Sequence, residues 1–326
     1  MRLTGLSLHA AHLHLPAHRE TADPRTVSRD GYRALTVSAD LPPPELAVRA
    51  ATGALVAARW PASTLDLVAH AWIHHQGHDF WSPAHYLAHR LGAARALPVG
   101  VRQMCNGGVA ALELAATRIM ADPATERALV TTADRFAAPA FDRWRADYGV
   151  AYGDGATALL LARGDGPYRL LSVASTAAPE LELMHRGDDS FGASPGAVID
   201  VRRTKRAFLA AGHGPRFTRT ANDAVCRVVR QALAEAGEPR VHAVALPRLG
   251  GAVLDDGYRP GLRAAGLRRA AVLRFGRGTG HLGAGDAAAN LAEMAHLRLL
   301  RPGQVALVLS AGAGFTWSCL VVRCAY

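Results

Sequence analysis

The chain has 326 residues, of which 50% are hydrophobic and 20% are charged, and its formal net charge is +10. This length and composition exclude a disordered chain and indicate a globular protein with two domains or one large domain. The positive charge does not indicate nucleic-acid binding, because the basic residues are spread along the chain and Lys205 is the only lysine.

Short β-type runs alternate with alanine- and leucine-rich helical patterns. The runs predict strands near residues 67–73, 128–132, 156–161, 242–246, 270–275, 305–310 and 319–323. This alternation is typical of a layered α/β protein. The turn sequence Gly-Asp-Gly-Pro at 164–167 predicts a boundary between two halves, residues 1–166 and 167–326. In each half a strand leads into a helix at a corresponding place, and this correspondence favours an internal duplication.

Cys105 lies in Met-Cys-Asn-Gly-Gly, between a β-branched run at 99–101 and an apolar periodic stretch at 109–120. The pattern places a cysteine at a strand-to-helix junction. Unpaired backbone N–H groups at a helix N-terminus favour the thiolate, so Cys105 is a candidate nucleophile. Locally, the sequence leaves open a small buried apolar residue instead.

Six histidines between residues 70 and 89 include pairs at i, i+4, which is a metal-ligand spacing. We predict no metal site, because these histidines are divided among a strand, a loop and a helix. The four cysteines lack both metal-ligand spacing and a secretory framework. We therefore expect reduced thiols in a cytoplasmic protein without a signal peptide or a membrane-spanning segment.

Three segments resemble the β-ketoacyl-ACP synthase III family in their order and approximate spacing: the Cys105 turn, Tyr-Gly-Asp-Gly-Ala at 152–156 and Gly-Ala-Gly-Phe-Thr-Trp at 312–317. The resemblance covers nearly the whole chain. It implies a thiolase fold, with five αβαβα layers built from two similar halves, and a homodimer. It also implies that Cys105 is the nucleophile at the end of a pantetheine tunnel. The acyl donor would be an acyl carrier protein or coenzyme A thioester, with no cofactor.

The chain departs from the condensing enzymes of this family at two motifs. Those enzymes pair the cysteine with a histidine in Pro-His-Gln-Ala-Asn and an asparagine in Gly-Asn-Thr-Ser. Here residues 247–251 read Pro-Arg-Leu-Gly-Gly, and Arg248 cannot act as a neutral imidazole. In place of the second motif, the chain has His281, followed five residues later by Asp286.

These residues indicate a Cys105/His281/Asp286 constellation, in which His281 relays protons and Asp286 fixes its tautomer. The alternatives are a structural histidine and an aspartate that caps the following helix. The spacing resembles a subgroup of synthase III-like acyltransferases from natural-product pathways. The resemblance further implies an oxyanion hole formed by the backbone N–H groups of Cys105 and Ala313.

Further residues are candidates for binding. His185 occupies the position of an additional histidine in some members of the subgroup, and Gln76 and Phe80 lie in a loop that the resemblance places near the tunnel and the dimer contact. A basic cluster is a candidate contact for an acidic carrier protein or the phosphates of coenzyme A, with a solvated helix face as the alternative. Its members are Arg202, Arg203, Lys205 and Arg206, together with Arg248 from the loop at 247–251.

We predict an acyltransferase that moves an acyl group from a carrier-protein or coenzyme A thioester, through acyl-Cys105, to a hydroxyl or amine of a secondary metabolite without decarboxylation. The sequence leaves three alternatives open. They are a starter-unit synthase that forms a carbon–carbon bond, an enzyme that transfers acyl groups between carrier proteins, and a non-catalytic scaffold that binds acyl-ACP.

Overall fold

The fold is described from a computed structural model of the whole chain. The structure describes residues 1–22, 24–193, 196 and 198–326, without the side chains of residues 26 and 28. The strands are β1 (Arg2–His14), β2 (His18–Thr21), β3 (Ala34–Val37), β4 (Leu67–Ala71), β5 (Leu97–Val101), β6 (Arg127–Asp134), β7 (Gly155–Arg163), β8 (Tyr168–Ala177), β9 (Val241–Ala245), β10 (Ala271–Leu273), β11 (Val305–Gly312) and β12 (Thr316–Cys324).

Helices occupy most of the chain between these strands, and several are rich in alanine. They are α1 (Pro24–Asp30), α2 (Pro43–Ala58), α3 (Pro83–Leu91), α4 (Gly107–Ala121), α5 (Leu183–Arg186), α6 (Val201–Ala210), α7 (Gly214–Glu235), α8 (Gly251–Gly257), α9 (Arg259–Ala264) and α10 (Asp286–His296). No helix in the described part of the chain is long and apolar enough to cross a membrane.

Two groups of five strands share one topology. The order β5-β4-β6-β7-β1 in the first group corresponds to β10-β9-β11-β12-β8 in the second, and β1 pairs with β8 to join the groups. In each group four strands run in the same direction, and one, β7 or β12, runs in the opposite direction between two of them. The turn at 164–167 connects β7 to β8, between the groups. The division of the chain there into two domains stays a prediction.

Successive side chains along a strand point to opposite faces of the sheet and therefore pack in separate cores. Leu67 and Ala69 of β4 pack in a central core with α4 and α10, whereas Val68 packs in an outer core with α2 and α3. The strands β11 and β12 divide in the same way between the central core and an outer core with α7. The result is five layers, αβαβα, as the sequence predicts.

Candidate active site

Cys105 lies in a tight turn between β5 and α4, at the strand-to-helix junction that the sequence predicts. The preceding residue, Met104, has a φ of 46°, a left-handed conformation that is uncommon without glycine. The Gly107 N–H donates to the Met104 carbonyl at 2.9 Å and closes the turn. The turn leaves the Cys105 side chain partly exposed at the start of the helix.

His281 bridges Cys105 and Asp286. Its Nε2 lies 3.0 Å from the Cys105 Sγ, and its Nδ1–H donates to the Asp286 Oδ2 at 2.6 Å. His281 and Asp286 are both 2% exposed. The structure therefore brings the three predicted residues into one row, with the carboxylate fixing the tautomer that presents Nε2 to the thiol.

The charges in this row oppose the cost of burial. Burial alone lowers the pKa of His281, but Asp286 and Cys105 outweigh this effect and raise it well above its usual range. For Asp286, burial raises the pKa, but His281, Arg248 and the Leu282 N–H together lower it below its ordinary value. Both shifts favour a charged imidazolium–carboxylate pair.

Asp286 does not cap a helix. The N-cap of α10 is Gly285, and the Asp286 carboxylate accepts hydrogen bonds from the peptide N–H groups of Leu282 at 2.8 Å and Arg248 at 2.7 Å. Three donors from two parts of the chain thus hold the carboxylate behind His281.

A buried carboxylate fixes the turn between His281 and Asp286. Asp134, at the end of β6, accepts hydrogen bonds from the N–H groups of Ala284 at 3.0 Å and of Ile73 and His74 at 2.9 Å each. Burial raises its pKa to about 7, while these hydrogen bonds oppose the rise. Gly283 has a φ of 61° and no room for a Cβ, which would overlap Asp134.

The segment at 152–156 supports His281 from another side. The His281 N–H donates to the Ala151 carbonyl at 2.8 Å, and the Gly153 N–H donates to the His281 carbonyl at 2.9 Å. The ring of Tyr152 meets the imidazole edge-on at 5.2 Å between centroids. The sequence singles out this segment as a motif but gives no signal that Tyr152 would contact the base.

The turn at 312–314 lies against the cysteine turn. A Cβ at Gly312 would come within 2.6 Å of the Asn106 nitrogen, so only glycine allows this approach. Among the described residues, no carbonyl or side chain accepts a hydrogen bond from the N–H of Cys105 or Ala313. Both donors are available to a ligand, which is what the proposed oxyanion hole requires.

The structure places the two loop residues predicted for the pocket, Gln76 and Phe80, in different surroundings. Gln76 is buried, and its amide bonds to His70 and to the carbonyls of His74 and Ala133. Phe80 is fully exposed on the surface. A role for Gln76 or Phe80 in the substrate pocket stays a prediction.

His185 lies beside the turn at 312–314, with its ring 5.3 Å from that of Phe315. Its buried Nδ1 has no hydrogen-bond partner among the described residues. Burial and the nearby Lys205 lower the pKa of His185 to about 4, so the ring is neutral at pH 7. A role in the acyl pocket stays a prediction.

Some members of the predicted basic cluster are buried or paired in the structure, and others are exposed. Arg248 is 1% exposed and cannot contact a carrier protein, so that prediction is wrong. Lys205 is also unsuitable, because its mostly buried ammonium group pairs with Asp147 at 2.5 Å. Arg202 donates to the Asp147 carbonyl at 2.9 Å and stacks on a tyrosine ring. Arg203 and Arg206 are exposed on α6 and remain candidates.

The six histidines between residues 70 and 89 do not gather at one point. His70 is buried in β4 and bonds to Thr131 at 2.9 Å, whereas His85 and His89 lie on α3. Among the described residues, no group of three or more His, Cys, Asp or Glu side chains is placed to hold a metal ion.

Comparison with known proteins places these features in a family. Residues 100–179 match the family 3-oxoacyl-[acyl-carrier-protein] synthase III, and residues 259–324 match its C-terminal part. The structure of the acyltransferase ChlB3 is 33% identical, with 98% of each chain covered and a TM-score of 0.90. No curated protein sequence matches the chain. The chain thus belongs to the 3-oxoacyl-ACP synthase III family of enzymes, as the motifs predict.

More distant structures share the fold. The 3-oxoacyl-ACP synthase III of Aquifex aeolicus is 20% identical over 98% of this chain and 100% of its own, with a TM-score of 0.81. The priming β-ketosynthase of the R1128 polyketide pathway is 19% identical over 98% and 96% of the two chains, with a TM-score of 0.78. The predicted thiolase fold is confirmed.

Proposed function

We propose that the chain is an acyltransferase that moves an acyl group from a carrier-protein or coenzyme A thioester to a hydroxyl or amine of a secondary metabolite. The observation that carries the proposal is the buried row in which His281 lies 3.0 Å from the Cys105 thiol and 2.6 Å from the Asp286 carboxylate. A nucleophile, a base and a group that orients the base are what acyl transfer through a covalent intermediate needs.

In the first step His281 holds the Cys105 proton on Nε2, and the thiolate attacks the carbonyl carbon of the donor thioester. The N–H groups of Cys105 and Ala313 stabilise the oxyanion. Collapse breaks the bond between the acyl carbon and the pantetheine sulfur. His281 returns its proton to that sulfur, and the free thiol leaves behind an acyl-Cys105.

In the second step the acceptor hydroxyl or amine gives its proton to the Nε2 of His281 and attacks the acyl carbon. The tetrahedral intermediate collapses with cleavage of the carbon–sulfur bond to Cys105. The products are an ester or amide and the starting pair of Cys105 thiolate and His281 imidazolium. Asp286 stabilises the imidazolium in both steps without taking a proton.

The surroundings of Arg248 favour acyl transfer over decarboxylative condensation. In the condensing enzymes that the sequence resembles, a histidine and an asparagine stabilise the enolate that forms when carbon dioxide leaves. Here the fully buried Arg248 takes the place of that histidine, and its guanidinium donates to Asn290, Thr279 and Glu293 within the protein. The acyltransferase name of the 33% identical ChlB3 supports the same choice. The name of the family favours the second candidate, a starter-unit synthase.

The donor enters as a substrate, and the proposal includes no cofactor. Arg203 and Arg206 on α6 are the proposed contacts for an acidic carrier protein.

We also propose a homodimer through β5, the end strand of its group. The outer edge of β5 pairs with no strand among the described residues, and Leu97 is exposed there. Sedimentation would test this, since a monomer at micromolar concentration contradicts it.

Intact-protein mass spectrometry tests the transfer. Wild type and Cys105→Ala are incubated with acyl-ACP and acyl-CoA thioesters and then chased with alcohols, amines, a second carrier protein or malonyl-ACP. We expect an adduct only when Cys105 is present, discharged by an alcohol or amine without release of carbon dioxide. Discharge only by malonyl-ACP with carbon dioxide release would indicate the synthase, and discharge only to a second carrier protein would indicate carrier-to-carrier transfer. Binding of acyl-ACP without an adduct would indicate a scaffold.

A further inference from the structure

Arg248 is a buried cation next to the catalytic row, and none of the steps above uses its charge. Its side chain is fully buried in the loop after β9. The guanidinium donates to the Asn290 Oδ1 at 3.1 Å, the Thr279 Oγ1 at 2.9 Å and the Glu293 Oε2 at 2.7 Å. These contacts connect the loop to α10 and to the segment just before His281.

The backbone of the same residue touches the row directly. The Arg248 N–H donates to the Asp286 Oδ2 at 2.7 Å, and this is the oxygen that accepts the hydrogen bond from His281. The hydroxyl of Tyr32 donates to the Arg248 carbonyl at 2.9 Å. The backbone of Arg248 is therefore held through both its N–H and its carbonyl, while the guanidinium contacts hold its side chain.

Charges of opposite sign alternate from the thiol to the surface. Behind the Cys105 sulfur lie the His281 imidazolium, the Asp286 carboxylate, the Arg248 guanidinium and the Glu293 carboxylate. Burial lowers the pKa of Arg248, but Glu293 and Asp286 oppose this, and a guanidinium stays protonated in proteins. Each charge thus has neighbours of opposite sign, which is the condition for burying several charges together.

We propose that Arg248 is a positioning residue that holds Asp286 behind His281, and that the Arg248–Glu293 pair sets the pH at which the Cys105 thiol becomes reactive. The inference rests on the proposed function in that Cys105 and His281 form the reacting pair. It concerns the reactivity of free Cys105 and needs no acyl donor or acceptor.

Other ionisable groups lie near the row or line the cavity outside the Arg248 loop. They are Asp134, Tyr32, Tyr152 and Tyr258 within the protein, and Arg29, Asp30, Asp255, Arg274 and Arg277 around the cavity outside the Arg248 loop. Burial raises the pKa of the three tyrosines, which stay neutral at pH 7. Asp134 titrates near pH 7, but it is present in every variant below, so comparison among the variants isolates the effect of Arg248 and Glu293.

The test is the rate of Cys105 alkylation by iodoacetamide between pH 4 and 10, in a Cys226→Ala background because Cys226 is also partly exposed. Arg248→Met leaves two carboxylates without their cation, so the midpoint of the profile should rise by about one pH unit. Glu293→Gln removes a negative charge, and the midpoint should fall. The double variant should return towards wild type. Arg248→Lys keeps the charge and should change the midpoint least.

A purely structural Arg248 gives a different result. Thermal unfolding would then occur at lower temperature in Arg248→Met while the alkylation midpoints of all folded variants stayed together, and this outcome would overturn the inference. If Arg248→Met does not fold, Glu293→Gln decides alone, because an unchanged or raised midpoint contradicts the proposed sign. A normal alkylation profile without acylation by any thioester would count against acyl transfer only.

Discussion

The Nε2 of His281 lies 3.0 Å from the Sγ of Cys105, although 176 residues separate them in sequence. On its other side the imidazole is bound to Asp286, so the ring exchanges protons only at the nitrogen that faces the thiol. The pair is therefore arranged for proton transfer at one position, where both the leaving thiol and the acceptor must arrive.

Removing the imidazole should slow acyl transfer. In His281→Ala we expect the rate of acyl-Cys105 formation or discharge to fall by about 10²–10⁴-fold, because a positioned base contributes this much. The measurement is time-resolved mass spectrometry of the acyl-enzyme. His296→Ala, at the exposed end of α10, is the control and should behave as wild type. Equal rates in His281→Ala and the control would remove His281 from the mechanism.

Neutralising Asp286 should affect both activity and stability. In Asp286→Asn the amide NH₂ must face at least one of the donors from His281, Leu282 and Arg248. An unsatisfied buried donor costs about 1–3 kcal/mol of unfolding free energy, and the imidazolium loses its counter-charge. We expect a loss of transfer rate of at least about 10²-fold, of the size that a base provides. Chemical denaturation gives the free energy, with exposed Asp223→Asn as the control. Unchanged rate and stability would contradict the assigned role.

The pKa shifts predict a pH window for stability. The pKa of His281 is raised, so its contribution is complete below its ordinary value of 6.5 and is lost as pH rises through the raised value. The pKa of Asp286 is lowered, so its contribution is present above 3.8 and is lost as pH falls through the lowered value. The Tm difference between wild type and His281→Ala should therefore be largest between these values and should shrink towards pH 10. A difference that grew with pH would contradict the sign.

The turn between His281 and Asp286 should not tolerate a side chain. In Gly283→Ala the added Cβ would overlap the Asp134 carboxylate, and the residue has a positive φ. Gly303→Ala is a matched control, because Gly303 has a φ of 81° but open space around it. We expect both variants to lose stability from the backbone strain, and only Gly283→Ala to lose transfer activity as well. Similar activity in the two variants would show that the turn does not position the base.

The sequence predicts most of the sheet correctly. The seven predicted strands are β4, β6, β7 and β9–β12, and apart from the exposed β10 they are mostly buried and read as apolar runs. It misses β1 and β8, because their burial is partial and their sequences mix apolar residues with histidines or serines and threonines. A strand of this kind is recognisable only from the partners that it pairs with.

The site was predictable where chemistry imposes residue types. Cys105, His281 and Asp286 follow from motifs, and the structure places them together. Arg248 looked like a surface cation, because sequence does not show that Asn290, Thr279 and Glu293 surround it. The sequence also gives no signal for the roles of Asp134 and Tyr152, because each acts through a contact with a distant segment. Long-range partners of polar side chains leave no local pattern.

The repeated strand order has a consequence for how activity appears during folding. Cys105 lies between β5 and α4, His281 lies in the equivalent connection between β10 and α10, and Asp286 is the first residue of α10. Each half of the chain therefore supplies only one side of the reacting pair. Contacts over such sequence distances form slowly in folding. Cys105 therefore gains its base only when segments 176 residues apart have come together, so a thiol with its base marks a chain in which both halves are in place.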